Sequence, residues 1–284
     1  MFKEKSKKAV LAILGVLILA DVFILCAVFD LNRPNHLEVV FFNVGQGDGA
    51  FIETPNRQQV LIDGGPDSSI LKKLAKEMPF YDRTLDLVIL SHPEKDHLAG
   101  LLEVLKRYKV RNILWTGVVR ETAEYREWER LIKEEGADIT IARAGQRIFL
   151  QERPDIFIDI LYPSQNLEGE TMKDSNDSSV VARLSFGSDS FLFPGDASSK
   201  VEDKLNEQGL KSTVLKISHH GSKTSTSESF LKEVSPKTAV ISVGENNYGH
   251  PALEVLARLQ KFGINVLITK INGDIKIISA GNNF

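Results

Sequence analysis

A short run of metal-binding residue types follows an apolar segment and constrains the fold more than any other feature. Residues 85–90 predict a buried strand, and His92, Glu94, Asp96 and His97 come directly after it. Alternate residues of an extended segment point to the same side, so His92, Glu94 and Asp96 converge, and His97 joins them as the next helix begins. Imidazole and carboxylate groups at this spacing predict a site for two metal ions at a strand end.

The composition is that of a folded protein rather than a disordered one. The chain has 284 residues, of which 42% are hydrophobic and 26% charged, enough for one domain of more than about 200 residues. Residues 31–284 contain 31 basic and 35 acidic side chains, a net charge of −4, which argues against a general polyanion-binding surface. Cys26 is the only cysteine, so metal ligands beyond residue 30 must be nitrogen or oxygen atoms.

The N-terminal segment predicts a membrane anchor. Residues 9–29 form a 21-residue apolar stretch that only Asp21 interrupts, and about 20 apolar residues span a bilayer core as a helix. Four lysines lie within residues 3–8, so the positive-inside rule predicts a single-pass protein with a cytoplasmic N-terminus and an extracytoplasmic domain. A cleaved signal peptide is the alternative, although the apolar run is longer than a usual signal sequence.

Apolar periodicity and turn signals predict an α/β domain. Three strands at 37–43, 50–54 and 59–62 come first, after which helices and strands alternate. A second β-rich half begins near residue 180. Two such halves with outer helices predict an αββα sandwich whose loops meet along one edge of the sheets. We expect a basic tip and transmembrane anchor at 1–30, a linker at 31–36 and one folded domain at 37–284.

Three later segments also place ligand-type side chains just past predicted strands. They are Gly195-Asp196, His219-His220-Gly221-Ser222 and Gly249-His250-Pro251. Loops on one edge of a sheet sandwich can bring these side chains to the first loop.

The order of these segments resembles the metallo-β-lactamase superfamily. Its loop signature is H-x-H-x-D-H, which reads H-x-E-x-D-H in this chain. The likeness is greatest to the metallo-β-lactamase-like hydrolase domain of ComEC-type DNA-uptake (competence) proteins, over about residues 37–280. It rests on residues 43–48, 61–65, 92–97, 195–196, 219–222 and 249–251. Choline-phosphate esterases of the same superfamily have a related arrangement.

The resemblance implies two metal ions bridged by Asp196. One ion would bind His92, Glu94 and Asp196; the other would bind Asp96, His97, Asp196 and His250; and His220, and less directly His219, would contact a substrate phosphate as catalytic residues. Three carboxylates against two divalent ions leave about one positive charge for an anionic substrate, which suits a phosphodiester. The Glu94 carboxylate shifts the preference from Zn²⁺ towards Mn²⁺, with Mg²⁺ as a further candidate.

Three further polar residues are predicted to support the ligands rather than to bind metal. Asp63 is expected to hydrogen-bond a ligand histidine or the ligand loop. Asp48 belongs to a glycine-rich segment that a strand follows, which predicts a tight turn rather than a phosphate-binding loop. No histidine lies within residues 98–218, so Asn176, Asp177 or water takes the place of the superfamily's third-motif histidine.

Three functions fit these features. The first is a membrane-anchored, extracytoplasmic two-metal phosphodiesterase or nuclease with DNA as its substrate, in line with the ComEC-type resemblance. The second is a hydrolase of a cell-envelope phosphodiester, similar to the choline-phosphate esterases. The third is a non-enzymatic docking subunit of a separate DNA-uptake channel, because the multi-span channel region of that family is absent from this sequence. Docking predicts that Asp21→Leu abolishes function and Asp196→Ala does not, the reverse of a simple hydrolase.

Overall fold

The structure, a computed structural model, describes residues 2–31, 36–205 and 209–281. The chain divides into two compact units, Met1–Asn35 and His36–Phe284. The first unit contains helix α1 (Phe2–Leu31). No helix in the described ranges is both long enough and apolar enough to cross a membrane, so the predicted transmembrane anchor is not confirmed. Most of the predicted linker, at residues 32–35, lies outside the described residues.

The second unit is built on two seven-stranded sheets, counted over its described residues. The first sheet has the order β14-β1-β2-β3-β4-β5-β6, with β1 at Leu37–Phe41, β2 at Ala50–Glu53, β3 at Gln59–Ile62, β4 at Thr84–Ile89, β5 at Lys109–Trp115, β6 at Asp138–Ile141 and β14 at Ile275–Ser279. The second has the order β13-β12-β11-β10-β9-β8-β7, with β7 at Arg147–Glu152, β8 at Asp155–Tyr162, β9 at Val181–Phe186, β10 at Asp189–Phe193, β11 at Val214–Lys216, β12 at Thr238–Ile241 and β13 at Asn265–Ile268.

Each sheet is antiparallel on one side and parallel on the other. Strands β14, β1, β2 and β3 pair antiparallel, and β3 to β6 pair parallel. In the second sheet β7 to β10 pair antiparallel, and β10 to β13 pair parallel. The helices are α2 at Ser69–Glu77, α3 at Lys95–Leu105, α4 at Ala123–Glu135, α5 at Ser199–Leu205, α6 at Glu228–Val234, α7 at Leu253–Lys261 and α8 at Thr269–Asn272.

The strand residues alternate between a central core and two outer cores. Val39 and Phe41 of β1 face the space between the sheets, where the Phe41 ring stacks on Phe193 of β10 at a centroid distance of 5.6 Å. Val40 and Phe42 point to the other side, where they pack in one cluster with residues of α2, α3 and α4. A third cluster joins the outer face of the second sheet to α5, α6 and α7. These layers confirm the predicted αββα sandwich.

The parallel strands bring the predicted ligand loops to one edge of the sandwich. Asp63 follows β3, His92 follows β4, Asp196 follows β10 and His219 follows β11. Helix α3 begins at Lys95, two residues before His97, where the sequence pattern predicts the start of the helix. The chain therefore turns helical in the middle of the first ligand loop, which changes where its side chains point.

Candidate metal centre

Asp196 is the centre of a group of nitrogen and oxygen atoms. Its Oδ2 lies 3.4 Å from Nε2 of His97, 3.4 Å from Nε2 of His220 and 4.0 Å from Nε2 of His219. The Asp96 Oδ2 lies 3.2 Å from Nε2 of His220. Asp96, His97, Asp196 and His220 each offer one ligand atom, and these atoms lie within 4.8 Å of one another. This is the spacing of a metal-ligand cluster, with the donor atoms that Zn²⁺ and Mn²⁺ bind.

Asp63 orients the His97 ring by contacting Nδ1, the ring nitrogen that does not face Asp196. The Asp63 Oδ2 lies 2.8 Å from Nδ1 of His97 and accepts a 2.7 Å hydrogen bond from Oγ of Ser91, whose backbone N–H donates to Oδ1 at 2.8 Å. A proton on Nδ1 of His97 leaves the Nε2 lone pair directed at Asp196. Such carboxylate contacts are how proteins orient metal-binding histidines, and they suit the supporting role predicted for Asp63.

His92 lies against His97, with its ring centroid 4.2 Å away. Its side chain is buried, and its Nδ1 is 3.0 Å from Oγ of Ser91. Burial, together with the neighbouring His97, lowers the pKa of His92 to about 3. His92 is therefore neutral at neutral pH, the protonation state that metal binding requires.

Several buried polar atoms of this site have no hydrogen-bond partner in the part of the chain that the structure describes. They are Nε2 of His92, Nε2 of His97, Oδ1 of Asp48 and Nδ1 of His250. A buried polar atom without a partner costs about 1–3 kcal/mol. Coordination to an ion satisfies a histidine lone pair that no protein donor reaches. The donor set and these atoms fit divalent metal ions.

The charged residues of the site titrate as a group. Burial alone would lower the pKa of His97, but the carboxylates of Asp196 and Asp63 raise it well above its usual value. Burial likewise opposes protonation of His220, yet Asp196 and Asp48 raise its pKa to about 10. Burial would raise the pKa of Asp196, but His220, His97 and Lys216 hold it well below the usual range. Protons on the histidines therefore balance the carboxylates when no metal is bound.

Lys216 is a buried cation that the sequence prediction did not include. Its Nζ donates to the backbone oxygen of Gly195 at 3.1 Å, lies 3.4 Å from Oδ1 of Asp196, and forms a close ion pair with Oδ2 of Asp48. The Asp48 Oδ1 lies 3.4 Å from Nδ1 of His220. Asp48 thus links Lys216 to the cluster, in keeping with its predicted supporting role. Lys216 ends the apolar strand Val214–Lys216, and a lysine is rarely buried unless it is paired. This position was the sequence feature from which a buried ion pair could have been predicted.

Glu94 lies apart from the cluster. Its Oε1 is 2.6 Å from a guanidinium nitrogen of Arg120 and accepts a hydrogen bond from Oγ of Ser175. Glu94 is the extended residue immediately before helix α3, with Asp96 in the first helical turn. The extended conformation that would point the two carboxylates to the same side therefore ends at Glu94.

His219, His250 and Asn176 line an open cleft beside the cluster. The His219 ring centroid is 5.6 Å from that of His250, and the side chain of His219 is 27% exposed, whereas that of His220 is 2% exposed. The cleft has a volume of about 860 Å³, and its other lining residues include Glu94, Lys95, Asp96, Arg120, Lys173, Asp196, Asn246 and Tyr248. Both histidines line the cleft, but His219 is the exposed one, whereas His220 is buried against the cluster.

Comparisons with known proteins agree with this fold and site. The sequence profile of the metallo-beta-lactamase superfamily matches residues 43–245. ComE operon protein 3 of Bacillus subtilis (strain 168) is 31% identical over 294 residues, covering 96% of this chain and 37% of that protein. Recombination protein 2 of Haemophilus influenzae is 29% identical, covering 87% of this chain and 29% of that protein. The chain thus spans about a third of the length of these relatives. The predicted resemblance is confirmed.

Solved structures share the fold at low sequence identity. Igni18, described as a novel metallo hydrolase from the archaeon Ignicoccus hospitalis, aligns with a TM-score of 0.55 and 14% identity over 84% of this chain and 98% of its own. A long form RNase Z from yeast aligns with a TM-score of 0.52 and 11% identity over 86% of this chain and 42% of its own. These likenesses support the αββα architecture.

Proposed function

Since the chain belongs to the metallo-β-lactamase superfamily, we propose that it is a metal-dependent phosphodiesterase that cleaves DNA. The observation that carries this proposal is the convergence of His97, His219 and His220 on one oxygen of Asp196, with Nε2 atoms 3.4–4.0 Å from Oδ2. Two divalent ions, when bound, supply the charge that activates water and stabilises the oxygens around phosphorus.

Each side chain has a proposed part in this site. Asp96, His97 and Asp196 hold metal, with His92 and His250 as further ligands, whereas the Glu94 carboxylate pairs with Arg120. The Nδ1–H of His220 donates a hydrogen bond to the backbone oxygen of Ser242 at 2.9 Å, which fixes the ring with Nε2 towards Asp96. For that reason, and because His220 lies in the metal-ligand group, we assign His220 to the metal centre and His219 to the substrate phosphate, in place of the expectation that His220 is the main substrate contact.

His219 suits contact with substrate because it is the more exposed of the pair. Burial lowers its pKa, so its imidazole is neutral at neutral pH and can hold a proton at one nitrogen while the other accepts one. The Lys216 ammonium nitrogen lies 3.4 Å from Oδ1 of Asp196. The second carboxylate oxygen, Oδ2, is therefore the one that faces the histidines.

Support for DNA as the substrate comes from the relatives. ComE operon protein 3, recombination protein 2 and competence protein ComA of Neisseria gonorrhoeae carry names that refer to competence or recombination. We propose that this chain performs the hydrolytic step of DNA uptake. The alternative proposal for DNA uptake is that this chain docks to a separate uptake channel and does not catalyse hydrolysis.

A cell-envelope phosphodiester is the second candidate substrate. The net charge of −4 over residues 31–284 disfavours a protein whose affinity relies on neutralising many DNA phosphates. A small choline-phosphate diester needs only the metal centre and the cleft around it. This candidate keeps the same ligands and reaction.

The location of the reaction is a separate proposal. The apolar stretch at 9–29 and the lysines before it support a single-pass anchor with the catalytic domain outside the cytoplasm. Extraction of cell membranes with alkaline carbonate, followed by protease treatment of intact spheroplasts, tests this proposal. Release by carbonate, or protection of the domain from added protease, would contradict it.

Cleavage assays with the full chain test the function. We expect Mn²⁺-dependent cleavage of single-stranded DNA that Asp196→Ala abolishes and that Asp203→Ala, at an exposed position of α5, retains. Glycerophosphocholine serves as the parallel substrate. Cleavage of that diester alone would move the proposal to the envelope substrate, and cleavage of neither, with metal bound, would contradict an enzymatic role on phosphodiesters.

A further inference from the structure

Tyr248 is an aromatic side chain displayed at the cleft beside the candidate metal centre. It is 75% exposed and is the single Phe, Tyr or Trp among the described residues that line the cleft. An exposed ring at this position has no packing role in the cores of the sandwich. We propose that Tyr248 stacks against a nucleobase of single-stranded DNA next to the phosphate held at the metal centre, an inference that rests on the proposed function.

The loop that carries Tyr248 is held in one conformation by Asn246. The Asn246 side-chain oxygen accepts hydrogen bonds from the backbone N–H groups of Tyr248 and His250, both at 3.1 Å. Its side-chain nitrogen donates to the backbone oxygens of Gly244 at 3.0 Å and His250 at 2.8 Å. Four hydrogen bonds from one side chain fix the loop, so displaying the ring costs little conformational entropy on binding.

The base of this loop packs directly on the glycine-rich segment of the first sheet. A Cβ atom on Gly244 would lie 2.4 Å from the backbone carbon of Gly45, so the two backbones touch with no room for a side chain. The Gly244 N–H also faces Oε1 of Gln46 at 3.4 Å. The loop is therefore a fixed part of the cleft wall.

A series of ring contacts connects Tyr248 to the reacting centre. The Tyr248 ring centroid lies 5.9 Å from that of His250 with an angle of 33° between the rings. The His250 ring is 5.6 Å from that of His219, whose Nε2 is 4.0 Å from Oδ2 of Asp196. A nucleotide bound with its phosphate at His219 places a neighbouring base in the direction of Tyr248.

Stacking on an aromatic ring also allows an acidic domain, with a net charge of −4 over residues 31–284, to bind DNA. Base stacking contributes about 1–3 kcal/mol per base and requires no excess of basic residues. A choline group instead binds aromatic rings by cation–π contact, typically within a cage of several rings. The single tyrosine favours a flat base over a quaternary ammonium group.

The test compares oligonucleotides with and without bases. Binding of the full chain to a labelled thymidine oligonucleotide, and to the same sugar–phosphate backbone carrying abasic residues, is measured by fluorescence anisotropy in Ca²⁺. We expect Tyr248→Ala to weaken binding of the thymidine oligonucleotide by about 5- to 150-fold and to change binding of the abasic one less than about twofold. Tyr248→Phe should retain wild-type affinity, because the ring remains.

Tyr81→Ala is the matched control, since Tyr81 is 63% exposed and is not among the residues that line the cleft. Equal effects of Tyr248→Ala on both oligonucleotides, no effect on either, or a selective loss of phosphocholine binding would overturn the stacking proposal. Base-dependent binding without cleavage by the wild type would support stacking and contradict the nuclease. Failure of the wild type to bind either oligonucleotide would overturn both proposals.

Discussion

The ammonium nitrogen of Lys216 lies 3.4 Å from Oδ1 of Asp196, with both side chains almost completely buried. The same ammonium group forms an ion pair with Asp48. A buried lysine between two carboxylates fixes the orientation of both. Asp196 is thereby left with Oδ2, the oxygen that faces the histidines.

Lys216→Met is expected to destabilise the metal-free protein by about 3–5 kcal/mol, because it leaves buried carboxylates without their cation. Urea denaturation in EDTA measures the free energy of unfolding. The control is Lys211→Met, at an exposed position just before β11, which should change that free energy by less than about 0.5 kcal/mol. A similarly small effect of Lys216→Met would contradict the proposed part of this ion pair in the fold.

The metal-free protein is expected to lose stability as the pH rises from 7 towards 10. Burial opposes protonation of His220, but Asp196 and Asp48 raise its pKa from 6.5 to about 10. A group whose pKa is raised by folding contributes stability that is complete below the unfolded pKa and is lost as pH rises through the folded pKa. His97 acts in the same direction, since its pKa is also raised.

Thermal unfolding in EDTA at pH 7 and pH 9.5 measures this loss, and each kcal/mol corresponds to about 2–4 °C in Tm. Saturating Mn²⁺ should reduce the difference between the two pH values, because metal ions replace the protons on the histidines. A Tm that stays constant or rises over this interval in EDTA would show that the histidines are not held as cations by the carboxylates.

Asp63→Asn is expected to weaken metal binding by about 10- to 100-fold, because it removes the carboxylate that orients His97 at 2.8 Å. Isothermal titration with Mn²⁺ measures the affinity. Asp138→Asn, at an exposed position of β6, is the control and should bind metal as the wild type does. Unchanged affinity in Asp63→Asn would mean that His97 needs no such support.

Substitutions of the adjacent residues His219 and His220 are expected to affect different properties, the first catalysis and the second metal binding. His219→Ala should lower kcat by about 10²–10⁴-fold with little loss of metal, as for a side chain that hydrogen-bonds substrate or moves a proton. His220→Ala should lower metal affinity, since its Nε2 lies among the cluster carboxylates. Metal titration and DNA cleavage on both variants separate the roles, and the reverse pattern would exchange the two assignments. His36→Ala, outside the site, is the control.

The layered fold could be predicted because its strands are short apolar runs bounded by turn signals, which is typical of strands buried on both faces. Val39, Val40 and Phe41 are all apolar, and successive residues alternate between the inner and outer cores. The prediction omitted β7 and β8, although Ile156, Ile158 and Ile160 of β8 alternate in the same way and all face the central core. That pattern was sufficient to assign the strand.

Other parts of the site depend on contacts that no local pattern contains. The Glu94 carboxylate pairs with Arg120, which is distant in sequence, and the helix begins at Lys95 within the ligand loop. Lys216 has a predictable signal in its apolar strand, but its two partners come from other loops. His219 is partly exposed and His220 is buried, a difference that two adjacent histidines in a sequence do not reveal.

Metal content and activity of Asp196→Ala, measured side by side, test the central claim most directly. Full-chain protein is equilibrated with Mn²⁺, freed of unbound ion, and examined by elemental mass spectrometry and by cleavage of single-stranded DNA. We expect the wild type to retain about two ions per chain and to cleave DNA, and Asp196→Ala to lose both bound metal and cleavage. Normal metal content together with normal cleavage in Asp196→Ala would contradict a metal centre built around this carboxylate.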